Sequence, residues 1–343
     1  MIYLITFGLL FLFSLTRGKK NKFFFKLFFL FLLLLTCFRG RTVGIDTSGG
    51  YYENYLEVLN GNSLPWMEAS WTILNRISIS LGMGYPGVLT ISGFLTLLPV
   101  GYVINKKCDN RCFALALFYG MYFVLYSFNL MRQCIAISFS LLAVFFYSDR
   151  KFIKSGIWLI LGILFHKSAL IVLAIIPFLM FRFTFARVVI VLVVSFVAGV
   201  LLSNRIFVLL SGKYATNLLV DDGYSGFRDS ILMPAIFTAA FNAFFLFTAM
   251  LDFENLKKNH WFLISLLGVI VMNLTMRLGQ GTRIVLYFSL SQVVFLSNYI
   301  SRMENKRNKP IIASLLFLYL AANFFRILNS QWDSLLPYVF FWN

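Results

Sequence analysis

Long apolar stretches joined by short polar turns form the dominant pattern of the chain. Several of them approach the roughly 20 residues that an α-helix needs to cross a ~30 Å hydrocarbon core. Two longer polar segments, 39–80 and 204–230, are predicted to be large outer loops of a single integral membrane domain, residues 1–343. The pattern predicts an all-α polytopic membrane protein with about twelve transmembrane helices, at residues 1–16, 23–38, 85–104, 112–128, 131–147, 153–165, 168–181, 188–203, 231–251, 261–276, 284–300 and 310–326.

The composition agrees with a membrane protein and argues against a soluble domain. Hydrophobic residues make up 60% of the 343 residues, and the mean hydropathy is +0.82. Soluble domains are closer to half apolar. The strict alternation of apolar and polar positions that marks a lipid-facing β-strand is absent from the sequence.

The charged residues predict both an orientation and a ligand. Of the 30 Lys and Arg residues, 19 fall in turns that this topology places in the cytoplasm, as the positive-inside rule expects. The net charge of +17 is therefore spread over membrane loops and does not indicate a nucleic-acid partner. Arg binds phosphate and carboxylate bidentately, so an outer side rich in Arg predicts a site for phosphate or pyrophosphate. Nine of the eleven outer cations are Arg, namely Arg39, Arg41, Arg76, Arg132, Arg205, Arg228, Arg277, Arg283 and Arg326.

Three pairs of consecutive predicted helices have short apolar arms joined by a polar tip. The tips are residues 129–133, 166–167 and 277–283. Arms of roughly 13–17 residues span only ~20–25 Å, so we expect the tips to lie below the outer surface and to line a recessed cationic pocket. An alternative for the second pair is one tilted helix over residues 155–181, which would invert the topology downstream.

The first large loop begins with the sequence FRGRTVGIDTSGGYY. We predict that Arg39 and Arg41 bind an anion, although interfacial anchoring is the alternative. Asp46 is a candidate general base or sugar-hydroxyl ligand, or an ion-pair partner of Arg41. Aromatic residues of the two loops are candidates for stacking on sugars, namely Tyr51, Tyr52, Tyr55, Trp66, Trp71 and Tyr224.

The polar tips supply the other candidates. Arg132, with Gln133, is predicted to contact phosphate, although a snorkelling arginine would have the same sequence pattern. His166 lies beside Lys167, a cation that favours a neutral imidazole able to accept a proton. The alternative for His166 is a packing role. The third tip adds a glycine-rich anion site, with Arg277, Gln280 and Arg283 as ligands.

No metal or cofactor is expected. The four cysteines lie within or beside apolar runs and lack the spacing of a zinc site, so we expect packed structural thiols. Neither a Walker A pattern nor a dinucleotide fingerprint occurs.

Four motifs in this order resemble the EpsG family of bacterial exopolysaccharide proteins. They are the FRGRTVGIDTSGGYY loop, the RQ pair that opens a membrane helix, LFHKSALI after a basic turn, and RLGQGTR. The family belongs with the Wzy-type polymerases of O-antigen and capsule. By this resemblance Arg132, Gln133 and His166 are matched positions, and Arg39, Arg41, Arg277 and Arg283 are plausible ones.

The resemblance implies a GT-C-like multispanning glycosyltransferase of the bacterial inner membrane whose active site faces the periplasm. Its donor and acceptor would be undecaprenyl-pyrophosphate-linked repeat units, and a chain-length regulator is a further candidate partner. The arginines would clamp the diphosphate, and His166 or Asp46 would take the proton from the acceptor hydroxyl.

Two other functions share an anion site of this kind. One is an O-antigen ligase or a related polyprenyl-phosphate glycosyltransferase. The other is a flippase or transporter for a lipid-linked oligosaccharide. Transporters commonly have related halves and charges near the midplane. This chain lacks an internal repeat, and its cations favour one side.

Overall fold

The computed structural model describes residues 2–16, 18–62, 64–65, 67–211, 231–278, 281–304, 308–329 and 334–342, with no description of the side chains of residues 202–211 and 282. These residues form α-helices, one 3₁₀-helix at Lys167–Ala174 and an isolated β-bridge between Arg39 and Phe340. The α-helices are α1 Ile2–Ser14, α2 Gly18–Cys37, α3 Ile45–Ser48, α4 Gly50–Leu59, α5 Ala69–Ser80, α6 Gly84–Lys107, α7 Arg111–Gly120, α8 Phe123–Asn129, α9 Met131–Ser148, α10 Phe152–Phe165, α11 Ile175–Met180, α12 Phe185–Ser211, α13 Leu232–Leu251, α14 Phe253–Leu256, α15 His260–Thr275, α16 Gly281–Arg302 and α17 Asn308–Leu328.

The helices confirm an all-α, multi-pass membrane protein. Within the described part of the chain, five helices are long and apolar enough to cross a membrane: α6, α9, α13, residues Arg283–Arg302 of α16, and α17. A sixth span results if α7 and α8 are counted as one bent helix. Five further apolar helices have 10–17 residues. The count of twelve spans and the GT-C-like arrangement stay predictions.

The predicted span over residues 112–128 is divided into two helices, because the chain bends by 47° between α7 and α8. Tyr122, at the bend, has φ of +66°, a left-handed conformation that bulky residues rarely adopt. Gly120 ends α7, and a β-carbon there would lie 2.8 Å from the ring of Phe7 on α1. The bend therefore depends on packing between helices that are distant in sequence.

The chain divides into two compact units, which are described separately. Unit 1 comprises residues 1–170 and 296–343, and unit 2 comprises residues 171–295. In unit 1, α9 packs against α6 and α10, while α1 packs against α7 and α2 packs against α6. Both α6 and α9 are largely buried, so they form the core of this unit.

The polar turns of unit 1 gather at the two ends of this core. At one end Lys107 forms an ion pair with Asp149 at 2.5 Å, and Arg302 Nε lies 2.7 Å from Asp109 Oδ2. These residues belong to three of the turns that the charge pattern places in the cytoplasm. The other end contains the first large loop and the start of α9. The structure thus groups the turns as predicted, and the side of the membrane that each end faces rests on the positive-inside rule.

The predicted loop over residues 39–80 contains three helices, α3, α4 and α5. In α4 the residues at positions i, i+3, i+4 and i+7 are buried, which is the periodicity of an amphipathic helix. They are Tyr51, Asn54, Tyr55 and Val58. The loop prediction overlooked this pattern because polar residues lie between them. For the second predicted loop, α12 continues to Ser211, and residues 212–230 lie outside the described residues.

The predicted turn at His166 is present, and the single helix over residues 155–181 is not formed. Helix α10 ends at Phe165, and His166 is extended, with φ of −161° and ψ of 121°. A β-carbon built at Gly162 would lie 3.6 Å from the methyl group of Ala169. Seven residues of continuous helix would separate these positions by about 10 Å, so the chain turns back at His166.

Unit 2 has a buried polar network between its helices. The side-chain amide of Asn273 on α15 lies 2.8 Å from the Ser195 hydroxyl of α12 and 3.1 Å from Asn242 Oδ1 of α13. Asn242 donates in return to Asn273 Oδ1 at 2.6 Å. Hydrogen bonds of this kind hold membrane helices together where hydrophobic burial cannot.

Candidate functional site

Arg39 is enclosed by protein on every side, with no exposed surface. Its Nη1 donates to the carbonyl of Thr36 at 2.5 Å, its Nη2 lies 3.0 Å from Met131 Sδ, and its guanidinium lies 4.8 Å from the ring centre of Phe128. Among the described residues no carboxylate forms an ion pair with it. Burial lowers the pKa of Arg39, although a guanidinium stays charged in proteins. Arg39 is thus a fixed internal positive charge and not an open phosphate ligand.

The segment 334–342 covers the loop that contains Arg39. The backbone N–H of Gly40 donates to Val339 at 2.7 Å, and that of Gly44 donates to Ser334 at 2.9 Å. At Gly44, φ is +103°, and a β-carbon would lie 2.8 Å from Asn129 Oδ1, so only glycine fits there. The sequence gave no sign of these hydrogen bonds.

Arg41 is exposed, and its guanidinium lies 4.5 Å from the ring centre of Tyr52. This cation–π contact holds the side chain over α4 without neutralising its charge. Arg41 therefore presents a positive charge at the surface, beside an aromatic ring that a sugar could also contact.

Asp46 is half-buried in the first turn of α3. Its backbone N–H donates to Asn129 Oδ1 at 3.3 Å, and the hydroxyl of the next residue, Thr47, donates to the carbonyl of Phe128. The phenol of Tyr85 on α6 donates to the Thr47 carbonyl at 2.7 Å. Asp46 is thus held against the tip between α8 and α9, next to the first turn that carries Arg132 and the buried Gln133.

Arg132 forms an ion pair with Glu68, a residue that the sequence analysis did not select. Its Nη1 contacts Glu68 Oε2, and its guanidinium lies 5.8 Å from the ring centre of Tyr51. Arg132 and Glu68 side chains are only 17% and 15% exposed. Burial raises the pKa of Tyr51, whereas Arg132 acts to lower it. The phosphate-binding candidate therefore already has an anionic partner, 64 residues away in the chain.

Aromatic rings line this end of unit 1. Tyr51 lies 5.0 Å from Trp71, and Tyr85 lies 5.1 Å from Tyr52 and 5.5 Å from Tyr55, measured between ring centres. Of the predicted sugar-stacking residues, Tyr52 is half-buried, while Tyr51, Tyr55 and Trp71 are buried. The three buried residues pack in the core of this end and have no ring face open to a sugar. Trp66 and Tyr224 lie outside the described residues.

His166 is half-buried and organises the start of the 3₁₀-helix. The backbone N–H of Ser168 donates to its Nδ1 at 3.3 Å, and the Ser168 hydroxyl lies 2.6 Å from the same nitrogen. A nitrogen that accepts from a backbone N–H carries no proton, so in the neutral ring the proton is on Nε2. This tautomer makes His166 a donor at Nε2 and leaves Nδ1 as the acceptor.

The tips that contain Arg132 and His166 are connected through the start of α5. Glu68 precedes this helix and contacts Arg132, and the hydroxyl of Ser70 donates to the Leu164 carbonyl at 2.5 Å. The ring of Phe165 packs against Phe139 with a centre separation of 5.7 Å. Because Phe139 is seven residues beyond Arg132 on α9, His166 lies about 10 Å deeper along that helix.

Arg277 and Arg283 belong to unit 2, on either side of the tip between α15 and α16. Both side chains are half-buried, and Arg277 Nε is buried without a partner in the described structure. Gln280 lies outside the described residues. The part of these three residues in anion binding stays a prediction.

A cavity of about 690 Å³ opens at the opposite end of unit 1. Its walls come from the ends of α1, α7 and α17 and include Phe11, Phe113 and Lys309. Gly18 and Asn21 at the start of α2 also line it, whereas Arg39 follows the end of this 20-residue helix, about 30 Å away. This cavity is therefore not part of the arginine site.

The described residues contain no group of three His, Cys, Asp or Glu side chains that could hold a metal ion. All four cysteines are buried. Burial raises the pKa of Cys108 to about 12, so this thiol stays protonated at neutral pH.

A family model matches nearly the whole chain. The model is that of the EpsG family, and the match covers residues 22–340. It spans the loop that contains Arg39 and Arg41, the tip that contains Arg132, and the tip that contains His166. No curated protein and no solved structure matches the chain.

Proposed function

The chain belongs to the EpsG family, which includes Wzy-type polymerases, and we propose that it polymerises lipid-linked oligosaccharide repeat units. The donor would be a glycan on undecaprenyl pyrophosphate, and the acceptor would be the next lipid-linked unit. The reaction would take place at the periplasmic face of the bacterial inner membrane.

One observation carries the proposal: three arginines gather at one end of unit 1, and among the described residues only one of them forms an ion pair with a carboxylate. Arg132 contacts Glu68, Arg41 lies on an aromatic ring, and Arg39 is buried with no ion pair to a described residue. A diphosphate is the ligand whose charge and bidentate oxygens suit such a set. Arg41 and Arg132 would contact it, and Arg39 would add positive potential from inside the protein.

Catalysis would depend on stabilising the leaving group. The acceptor hydroxyl attacks the anomeric carbon of the donor, its oxygen forms the new glycosidic bond, and the bond to polyprenyl diphosphate breaks. The electron pair leaves with the diphosphate, where fixed cations stabilise it. Asp46 or His166 would accept the proton of the hydroxyl. For His166 this requires a shift from the Nε2-protonated tautomer, so Asp46 is the simpler base.

Gln133, Arg277, Gln280 and Arg283 are proposed as further substrate ligands. Gln133 is buried one residue beyond Arg132, in the first turn of α9. Arg277 has a buried unpartnered Nε in the described structure, which leaves it able to bind an anion. A chain-length regulator remains a proposed partner.

The test combines purified protein with lipid-linked repeat units and no other enzyme. We expect a ladder of longer glycans from the wild-type protein and a loss of about 10²–10³ in rate from Arg132→Ala, the typical cost of removing one charge-stabilising donor. Arg76→Ala is the control, because Arg76 is an exposed arginine of α5 on the same side.

Other outcomes would redirect the assignment. Transfer of preformed polymer to a lipid A core would indicate a ligase, and movement of the lipid across a vesicle without bond formation would indicate a flippase. An unchanged ladder from Arg132→Ala at normal protein level would contradict the proposed diphosphate site.

A further inference from the structure

The cavity at the predicted cytoplasmic end of unit 1 forms where helices α1 and α17 separate. The rings of Phe11 on α1 and Phe317 on α17 stack with their centres 3.6 Å apart, so the two helices touch at this level. One turn nearer the helix ends the lining residues are small, namely Ser14, Ala313 and Ser314, and they leave a gap. Its volume of about 690 Å³ falls within the roughly 300–1,000 Å³ of ordinary ligand pockets.

The rim of the cavity is apolar on the side of α17. Its lining residue Pro310 is exposed, and the adjacent face of this helix exposes Ile311, Leu315 and Leu318. On a membrane-spanning helix, an exposed apolar face of this kind contacts lipid. Leu15, just beyond α1, also lines the cavity and is 68% exposed. A ligand with a hydrocarbon chain can therefore enter from the bilayer between α1 and α17.

Two asparagines hold one wall of the cavity in place. Asn21 of α2 donates to the Asn110 side chain at 2.7 Å and to the Thr16 carbonyl at 3.1 Å. The side-chain oxygen of Asn21 accepts from the Arg111 N–H at 3.0 Å, and Asn110 donates to the Ser14 carbonyl at 2.8 Å. These amides are occupied by the protein, so they shape the cavity and leave the binding of a ligand to other groups.

Helices α16 and α17 supply hydrogen-bond donors to the cavity. Lys309 lines it, and its Nζ donates to the Ser301 carbonyl at 2.7 Å, which holds the ammonium beside the gap. Ser301 and Ser314 also line the cavity, and their hydroxyls form no hydrogen bond with another described residue. An ammonium and two hydroxyls are donors that suit the oxygens of a phosphate group.

The segments that surround the cavity carry a large excess of positive charge. Residues 15–22, 105–113 and 300–310 contain eleven Lys and Arg residues and only two carboxylates, Asp109 and Glu304. The positive-inside rule accounts for the sign of this charge. The cavity adds a place where an anion can lie among these cations partly shielded from water, where electrostatic attraction is stronger.

Neither carboxylate cancels this excess. Asp109 lines the cavity, but its Oδ2 lies 2.7 Å from Arg302 Nε, and Glu304 is exposed. Three exposed lysines at the start of α2 follow directly on the lining residue Gly18 and form no ion pair with a described residue. They are Lys19, Lys20 and Lys22.

We propose that the cavity binds one anionic phospholipid, with its phosphate at Lys309 and an acyl chain against Phe11 and Phe113. Basic pockets between membrane helices on the cytoplasmic side are the kind of site that anionic headgroups occupy. A zwitterionic phospholipid brings an additional ammonium group into a cationic environment, and a free phosphate makes no use of the apolar wall. Both should therefore bind more weakly. This proposal is independent of the reaction proposed at the arginine end.

Native mass spectrometry of the full-length protein in detergent tests the proposal, with dioleoyl phosphatidylglycerol and dioleoyl phosphatidylethanolamine as probes. We expect the wild-type protein to retain one phosphatidylglycerol and to bind it at least about tenfold more tightly than phosphatidylethanolamine. Lys309→Gln should weaken the binding of phosphatidylglycerol about fivefold, since one basic side chain contributes ~1 kcal/mol to the binding of an anionic lipid. The binding of phosphatidylethanolamine should change little.

Lys106→Gln is the matched control, because Lys106 is an exposed lysine of the same end that does not line the cavity. Its charge is screened by water and salt, so the affinity for phosphatidylglycerol should change by less than about twofold.

Filling the cavity tests where the lipid binds. Ala313→Phe should abolish the retention of both lipids, whereas Leu315→Phe, on the exposed face of the same helix, should retain phosphatidylglycerol. Should Ala313→Phe fail to accumulate, Ala313→Leu fills less of the cavity and should weaken the retention of both lipids.

Four results would overturn the proposal. They are equal affinity for the two lipids, an unchanged affinity for phosphatidylglycerol in Lys309→Gln, full retention of phosphatidylglycerol by the folded Ala313 variants, and displacement of phosphatidylglycerol by inorganic phosphate. The last result would assign the cavity to a free anion.

Discussion

Arg39→Met separates an electrostatic role of the buried arginine from a structural one. Methionine keeps most of the apolar stem and removes the charge. The hydrogen bond to Thr36 and the contact with the Phe128 ring are lost, at about 1–3 kcal/mol each. Against this, the protein no longer has to desolvate a guanidinium that lacks a carboxylate partner, and exchange of a buried charge for an apolar group is often neutral. We expect a net loss of stability of about 1–2 kcal/mol.

The effect on catalysis is separate from this loss of stability. Arg39 Nη2 lies 3.0 Å from Met131 Sδ, and the side chains of consecutive helix residues point about 100° apart, so the Arg39 charge is on the order of 12 Å from a phosphate bound to Arg132. At an effective dielectric constant of about 20, this separation corresponds to ~1.4 kcal/mol, or a ~10-fold lower rate of transfer. Without the Arg39 charge, the negative charge that develops on the leaving diphosphate is less stabilised.

Two assays on one preparation distinguish the electrostatic from the structural role of Arg39. They are thermal unfolding of the protein in detergent and the rate of polymer extension at saturating donor. Arg76→Met is the control for removal of an exposed arginine. A fully active Arg39→Met protein would refute the electrostatic reasoning. A protein that no longer folds would assign Arg39 to structure alone.

Two further predictions concern backbone geometry and proton transfer. Gly44→Ala should destabilise the protein by about 1–3 kcal/mol and lower the rate, because φ of +103° and the 2.8 Å approach to Asn129 exclude a β-carbon. Gly50→Ala, which meets nothing within 4 Å, should be neutral in the same unfolding measurement. His166→Asn should keep the acceptor for the Ser168 N–H, and hence the melting temperature, yet lower the rate about 10²-fold or more if His166 moves a proton. An unchanged rate would show that His166 serves only as the hydrogen-bond acceptor for the Ser168 N–H.

The hydrophobic pattern of the sequence predicted where the helices lie, but it did not predict where they bend. Each predicted apolar segment contains a helix, because an apolar run of this length must satisfy its backbone hydrogen bonds internally. The bend at Tyr122 depends on the approach of Phe7 to Gly120, more than 100 residues apart. Helix α4 was predictable from the spacing of Tyr51, Asn54 and Tyr55, which the polar residues between them obscured.

For the site as well, the sequence predicted the residue types but not the contacts between residues far apart in the chain. The excess of outer arginines pointed to an anion site, and the structure places Arg39, Arg41, Asp46 and Arg132 at one end of unit 1. The sequence alone could not distinguish an enclosed arginine from an exposed one. It also gave no sign that Glu68 reaches Arg132, since an ion pair across 64 residues leaves no periodic signature.

Photolabelling tests most directly whether the diphosphate binds at the arginine end of unit 1. A photoreactive polyprenyl diphosphate is bound to the wild-type protein, cross-linked and mapped by mass spectrometry. We predict labelling of residues 39–55 and 129–133, and loss of that labelling in Arg132→Ala. Labelling confined to the cavity at the opposite end, near Phe11, Phe113 and Lys309, would contradict the proposed site.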